Sequence, residues 1–310
     1  MTAGRGIGVG RISTFAGILL GASLAATAAY AGEDTCPGDP GYPAATRVAT
    51  VPTASGPAYG NMQYPQTVPL GPKEVALTFD DGPDPESTLR ILDTLDRHCI
   101  KATFFMVGYY AAKHPEIVRD VAARGHVIGT HTWLHPNSLR RYSLAQAQRE
   151  IRRGFEAVEA ALADSPAEDR QRLAPFFRFP GLNDSATLIR WLGERHIATF
   201  SCEFGADDWK PIGSAEVRRR AIRNIASVGR GILILHDTKP RTADMLSSFI
   251  VTMREQGYSF VQLAPEPESR VSAAAASDAL IGAVEPLAVA DIRPTTTVAE
   301  PSLEPDTALH

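Results

Sequence analysis

Glu74-Val75-Ala76-Leu77-Thr78-Phe79-Asp80-Asp81-Gly82-Pro83 decides how this chain is read. A short apolar run predicts a strand over Glu74–Phe79. It ends on two adjacent carboxylates, where Gly-Pro turns the chain away. The same grammar recurs downstream, with candidate strands at Ala102–Val107, His126–Thr130, Phe176–Phe179, Ala198–Phe204, Gly231–Leu235 and Ser259–Leu263. Helical patterns fall between them at 86–98, 115–124, 143–162, 185–195, 214–228 and 242–256, several opened by a Ser, Thr or Asp suited to capping. Such alternation predicts an α/β fold with a parallel sheet, either open and doubly wound or closed as a barrel. In both cases the site gathers at the carboxyl ends of the strands.

Those ends are polar. Beside Asp80-Asp81 stand His131-Thr132-Trp133-Leu134-His135, Arg178-Phe179-Pro180-Gly181, Asp207-Asp208-Trp209 and Leu235-His236-Asp237. The i,i+4 imidazoles are expected on one face of a helical turn, a spacing that lets two nitrogens reach one metal. Each cluster has a bland alternative: Asp-Asp-Gly-Pro as an ordinary turn, the His pair as surface or core residues, Arg178 as a structural ion-pair partner, Asp208-Trp209 as a turn and a packed indole. Turn chemistry gives no reason for all of them to occupy successive strand tips of one α/β unit. His98, His114, His126, His196 and His310 join no such constellation and read as surface or core residues.

Two imidazoles and a carboxylate suit a borderline divalent ion such as zinc, with cobalt as an alternative, and three protein ligands mark a catalytic rather than a structural site. Such an ion acidifies water and polarises an acyl oxygen. Of the adjacent carboxylates, one binds the metal and its neighbour is the base. His236 on another tip supplies a proton to the leaving group, oriented by Asp208, while Arg178 keeps the base ionised. The reaction class is metal-assisted hydrolysis of an amide or ester.

The motifs TFDDGP (78–83), HTWLH (131–135), RFPG (178–181), DDW (207–209) and LILH (233–236) resemble, in order, those of the polysaccharide deacetylases with a NodB-type domain, carbohydrate esterase family four. The resemblance covers about 73–264. It implies a distorted (β/α) barrel with about seven parallel strands, and removal of acetyl from N-acetylated sugars. Carried over by position, it implies Asp80 as base, Asp81, His131 and His135 as metal ligands, and His236 as acid. Arg178 supports the base and Asp208 the acid, while Trp209, Leu235 and Pro180 contact substrate. Two positions depart from the family pattern. Gly181-Leu182 stands where an aromatic residue and then Gly or Asn are common, and Gly205 stands where an Asp often precedes the Trp by four residues.

The composition is globular, with 44% hydrophobic and 21% charged residues among 310. A net charge of −4 without a basic stripe excludes a nucleic-acid binder. Arg5 and Arg11 precede an apolar stretch ending in Ala29-Tyr30-Ala31, which reads as a cleavable signal peptide over 1–31 and implies export to the periplasm or the exterior. A Pro/Gly-rich leader is expected over 32–72, the catalytic domain over 73–264, and a disordered acidic Pro/Ala-rich tail over 265–310. Cys36, Cys99 and Cys202 permit one disulfide and leave one thiol, with no pairing indicated; Cys202, in an apolar run, reads as a small buried residue. The expected partner is a glycan such as peptidoglycan, a chitin-like oligomer or an exopolysaccharide, acted on by a monomer with no stable membrane insertion after signal cleavage. Competing readings are a glycan-binding derivative without catalysis, an O-acetyl esterase on xylan, a cytosolic amidohydrolase and a structural envelope protein.

Overall fold

The computed structural model describes residues 35–266. The signal-peptide reading and almost all of the tail fall outside them. The central strand β5 (Glu74–Asp80) pairs in parallel with β6 (Thr103–Met106) on one side and β11 (Gly231–His236) on the other. From β6 the sheet continues through β7 (Val127–Thr130) and β8 (Leu173–Phe177) to β9 (Ala198–Phe200). Beyond β11 lies β10 (Phe204–Gly205), also parallel. The single strand expected over 198–204 is therefore two short ones, β9 and β10, which meet opposite ends of the sheet. One interrupted chain segment thus joins both ends, and the sheet runs round as a distorted barrel.

Strand alternation sorts the side chains. Val75, Leu77, Phe79, Phe104, Leu233 and Leu235 pack outward against the helices in one cluster. Ala76, Phe105, Phe176, Ile232 and Ile234 face inward in another. The helices, in chain order, are α1 (Ser87–Arg97), α2 (Gly108–Lys113), α3 (Pro115–Ala123), α4 (Leu144–Leu162), α5 (Ala167–Arg170), α6 (Ala186–Gly193), α7 (Ser214–Val228) and α8 (Pro240–Glu255). All six expected helices are present. The short α2 and α5 carry too few periodic positions to be read from sequence. α4 opens with a capping box, Ser143 and Gln146 each satisfying the other's backbone amide. Among the described residues no helix is long and apolar enough to cross a membrane.

The leader is a correction. Residues 35–72 are not an extended linker; they are packed onto the barrel. β1 (Thr35–Cys36) and β2 (Asp39–Pro43) form an antiparallel hairpin. β3 (Arg47–Val51) pairs with β12 (Ser259–Pro265), whose first residues extend the base of β5, and β4 (Ala58–Tyr59) pairs with β9. Pro265 ends a strand rather than beginning the tail. A Cys36–Cys99 disulfide ties the hairpin to the end of α1, and Asp39 meets both His98 and the Arg254 guanidinium. Cys202 is buried and takes no part in the disulfide. The Pro and Gly content that suggested a linker lies partly inside β2, at Pro40, Gly41 and Pro43, and partly in the turns between these short strands.

Candidate active site

Asp80 and His236 are register partners at the last step of the β5–β11 ladder, both inward-facing, because alternation that sends Phe79 and Leu235 to the helices sends their successors into the barrel mouth. The same rule corrects one expected site residue. Leu235 is fully buried on the helix side with Phe79, Met245 and Leu246, so it is no wall of the site. Ile234 shares the inner face with His236, and counting back by two from the histidine would have found it.

Asp80 is buried, with its Oδ1 taking a 2.6 Å hydrogen bond from Arg178 Nη1. Arg178 has no exposure. It donates also to Thr78 Oγ1 (2.9 Å) and to the carbonyls of Ser201 (2.9 Å) and Phe200 (3.4 Å), and its guanidinium lies 4.2 Å from the centre of the Phe105 ring. Every contact of the cation is thus oriented, which fixes the carboxylate it holds. Burial, aided by neighbouring Asp81, raises Asp80 to about 6 against the opposing pull of Arg178 and His236. The carboxyl therefore exchanges its proton close to neutrality.

Asp81, His131 and His135 present three donor atoms that all lie within 4.8 Å of one another. The Asp81 Oδ1 to His135 Nε2 distance is 3.3 Å, and the Asp81 Oδ1 to His131 Nε2 distance 3.8 Å. His131 Nδ1 lies 2.8 Å from the Arg178 carbonyl, which fixes its proton there and leaves Nε2 as a bare donor toward the cluster. Burial, with His135 beside it, drives the His131 imidazole well below its ordinary range, so it is neutral, as a ligand must be. Asp81 is lowered to about 2: burial opposes ionisation, and His135, His236 and the Lys239 ammonium overcome it. Its Oδ1 is buried without a hydrogen-bond partner. An ionised oxygen without a hydrogen-bond partner, beside the Nε2 atoms of two imidazoles, fits a divalent cation.

The two imidazoles are not brought together by a helical turn. Residues 131–135 are irregular, with Thr132 at φ 68° and His135 at φ 57°, both in the left-handed region, and Asp81 at φ 79° beside them. For a β-branched threonine this backbone is strained, and the surroundings impose it. The Thr132 carbonyl accepts from Gly108 N and its hydroxyl from His135 N. A Cβ on Gly154 of α4 would sit 2.9 Å from Thr132 carbonyl carbon and oxygen, so only glycine lets the helix pass. Gly154 was missed; an isolated glycine inside the 143–162 helical pattern was the available signal.

The remaining pair is His236 and Asp208. Asp208 accepts from His236 Nδ1 (2.8 Å), His236 N (2.7 Å) and Thr242 Oγ1 (2.6 Å). Burial alone would push the imidazole down, but the carboxylates of Asp208, Asp81 and Asp80 raise it to about 10. An imidazolium with Nδ1 held by Asp208 presents Nε2–H as a proton donor. Trp209 follows on the same turn, half-buried, with the Lys210 ammonium 4.8 Å from its ring centre. Pro180 is buried in the tight turn just after Arg178. Asp237, given no role from sequence, is fully buried; it accepts from Thr88 Oγ1 (2.7 Å) and packs so closely on Gly82 that a Cβ there would overlap its carboxylate. It thereby braces the loop that carries Asp80 and Asp81.

The pattern of the polysaccharide deacetylase family matches residues 67–194. A peptidoglycan-N-acetylglucosamine deacetylase of Bacillus cereus is 32% identical over 204 residues, which are 64% of this chain and 70% of the relative. A peptidoglycan-N-acetylmuramic acid deacetylase of Bacillus subtilis is 32% identical over 196 residues, 63% of this chain but only 39% of the relative. Among solved structures, a peptidoglycan deacetylase of Bdellovibrio bacteriovorus superposes with a TM-score of 0.63 at 30% identity, over 72% of this chain and 60% of its own.

Proposed function

This chain belongs to the polysaccharide deacetylase family, and from that membership we propose that it is an exported, metal-dependent hydrolase that removes acetyl from N-acetylglucosamine-containing glycans. The observation that carries the reading is the cluster itself: three convergent donors with an orphaned Asp81 oxygen, flanked on one side by a base near neutrality and on the other by a protonated imidazole. Those two carry the opposite proton roles that amide hydrolysis needs.

Asp81, His131 and His135 would hold the ion, with zinc or cobalt suited to two nitrogens and one oxygen. When bound, it would supply Lewis-acid polarisation of the acetyl carbonyl and a more acidic water. The chain's own residues do the rest. Asp80 Oδ1 is tied to Arg178, so Oδ2, on the His131 side, is the oxygen free to take a proton from the attacking water. His236, protonated and held at Nδ1, gives the Nε2 proton to the sugar nitrogen as the carbon–nitrogen bond breaks. Arg178 and Asp208 do not react; they hold the base and the acid in opposite charge states.

The relatives' named substrates support peptidoglycan as the glycan, and the signal-peptide reading supports a periplasmic or extracellular location. The test is acetate release from N-acetylglucosamine oligomers, peptidoglycan and acetylated xylan by zinc- or cobalt-loaded protein, beside Asp80→Asn. Release from the oligomers or peptidoglycan that disappears in the variant is expected. Metal-loaded protein that releases acetate from none of them would overturn the reading, and release from xylan alone would replace it with an esterase.

A further inference from the structure

The segment after β4 lies at the catalytic end of the barrel. β4 runs parallel to β9, so the chain leaving Tyr59 emerges at the same end as the chain leaving Phe200, beside the tips that carry the site. Residues 60–66 form a compact loop there: Gly60 N donates to the Gln66 carbonyl, and Gln63 N and Tyr64 N donate to the Gly60 carbonyl. Met62 N donates to the Cys202 carbonyl, and a Cβ on Gly60 would lie 2.5 Å from Cys202 N, so the loop sits hard against the break between β9 and β10.

Two side chains of this loop reach the turn that follows Arg178. Gln63 Nε2 donates to the Leu182 carbonyl at 2.6 Å, and Tyr64 Oη donates to Asp184 Oδ2 at 2.9 Å. That turn needs holding. Gly181 and Leu182 both have left-handed backbone, at φ 58° and 52°, and a leucine does not choose this conformation by itself. The other end of the turn is pinned through Arg178, whose Nη2 donates to the Ser201 carbonyl; the Ser201 amide in turn donates to the Tyr59 carbonyl. The segment 59–64 therefore supports the 178–184 stretch at both ends, one of them one hydrogen bond away from Asp80.

We propose that the loop 60–66 is a wall of the substrate cleft, and that Tyr64 is a positioning residue which, through Asp184, sets the Pro180–Leu182 turn against the acetyl-bearing sugar. This rests on the deacetylase reading of the site. Tyr64 touches no reacting atom, so its loss alters how an N-acetylated sugar chain is seated more than how an acetyl group is attacked.

The experiment compares kcat and KM on an N-acetylglucosamine tetramer and on 4-nitrophenyl acetate, all with zinc-loaded protein, for wild type, Tyr64→Phe, Asp184→Ala, Asp184→Asn and the Tyr64→Phe/Asp184→Ala double variant. Tyr64→Phe keeps the ring and removes the donor; Asp184→Asn keeps an acceptor. The expected result is a loss of about five- to tenfold in kcat/KM on the tetramer for Tyr64→Phe and for Asp184→Ala, the size of one hydrogen bond, carried by KM. The tetramer should lose at least fivefold more than the ester, Asp184→Asn should recover most of the loss, and the double variant should be no worse than either single one. Equal losses on both substrates, no loss on either, or additive effects would overturn the proposal. A second measurement separates it from the function. Titration calorimetry of the tetramer into Asp80→Asn protein with and without Tyr64→Phe should show the same weakening of Kd. Should the wild type release no acetate, the deacetylase reading falls alone; an unchanged Kd removes the wall.

Discussion

Replacing Asp208 by Asn tests the acid arm of the site without removing an atom from its packing. Asp208 is fully buried and accepts three hydrogen bonds, two of them from His236. It is the largest of the influences that raise His236 to about 10, against a burial that by itself would lower it. Raising an imidazole from 6.5 to about 10 corresponds to about 5 kcal/mol in favour of the protonated form, at roughly 1.4 kcal/mol per unit. Without the Asp208 charge, burial dominates and the imidazole falls toward or below neutrality. The sign for catalysis is definite: an acid must be protonated, so activity is lost as pH rises through its pKa. In the wild type the alkaline limb of kcat/KM should lie near 10; in the variant it should move to below about 8, costing about 10- to 100-fold at pH 8 and much less at pH 6.5. The assay is the pH profile of acetate release from the tetramer with zinc held saturating. A uniform loss with the alkaline limb unmoved would refute the argument, because Asp208 would then act by shape alone and His236 would not be the acid.

Four further outcomes are expected. Chelation should abolish activity and lower Tm, and zinc at a thousandfold excess over Kd should restore about 4 kcal/mol of stability to the wild type and none to His135→Ala, as read by thermal melts; an equal response from the variant places the ion elsewhere. Arg178→Met leaves the buried Asp80 carboxylate without its partner, so it should cost about 3–5 kcal/mol in urea unfolding. In the same variant the acid limb should move upward from its wild-type position at or below about 6, since the base must be ionised and its main counter-charge is gone. Cys36→Ser/Cys99→Ser opens a loop with a sequence separation of 63 and should lower stability by about 4 kcal/mol in the same assay. Gly154→Ala should destabilise by about 1–3 kcal/mol and weaken zinc binding together, because the added methyl meets Thr132 backbone rather than a flexible side chain; a stable variant with full zinc affinity would show that the His131–His135 turn tolerates displacement.

The parts of this molecule that were legible in its sequence are those written in a repeating period. Seven alternating runs predict the parallel sheet, and the residues at their ends include Asp80, Asp81, Arg178, Asp208 and His236, which the structure places side by side. Legibility ends where no period exists. Residues 35–72 form strands of two to five residues with no helix between them to mark an alternation, and their stability comes from neighbours far along the chain: β12 for β3 and β9 for β4. For Leu235 the motif resemblance and the strand period disagree, and the period is right: alternation assigns it to the face opposite His236.

The turn 131–135 exposes a different limit. Spacing of four suggests a helix because a helix is the cheapest way to align i and i+4, yet this chain reaches the same end by a costlier route. Asp81, Thr132, His135 and Leu182 all hold left-handed backbone that their side chains disfavour, at roughly 1–3 kcal/mol each, and all four lie in or beside the strand tips that carry the site. In a helix over 131–135 the His131 carbonyl would take the His135 amide, which the Thr132 hydroxyl holds in this turn. In the observed turn, the His131 amide instead donates to the Met106 carbonyl, which ties the first imidazole to β6, and the Thr132 and Trp133 carbonyls accept from Gly108 and Tyr109 at the start of α2. The two imidazoles are thereby anchored to the sheet and to a helix rather than only to each other. Preorganisation of this kind has to be held in place by packing distributed over Gly108, Gly154 and α4, which is why no local pattern in 131–135 could have announced it.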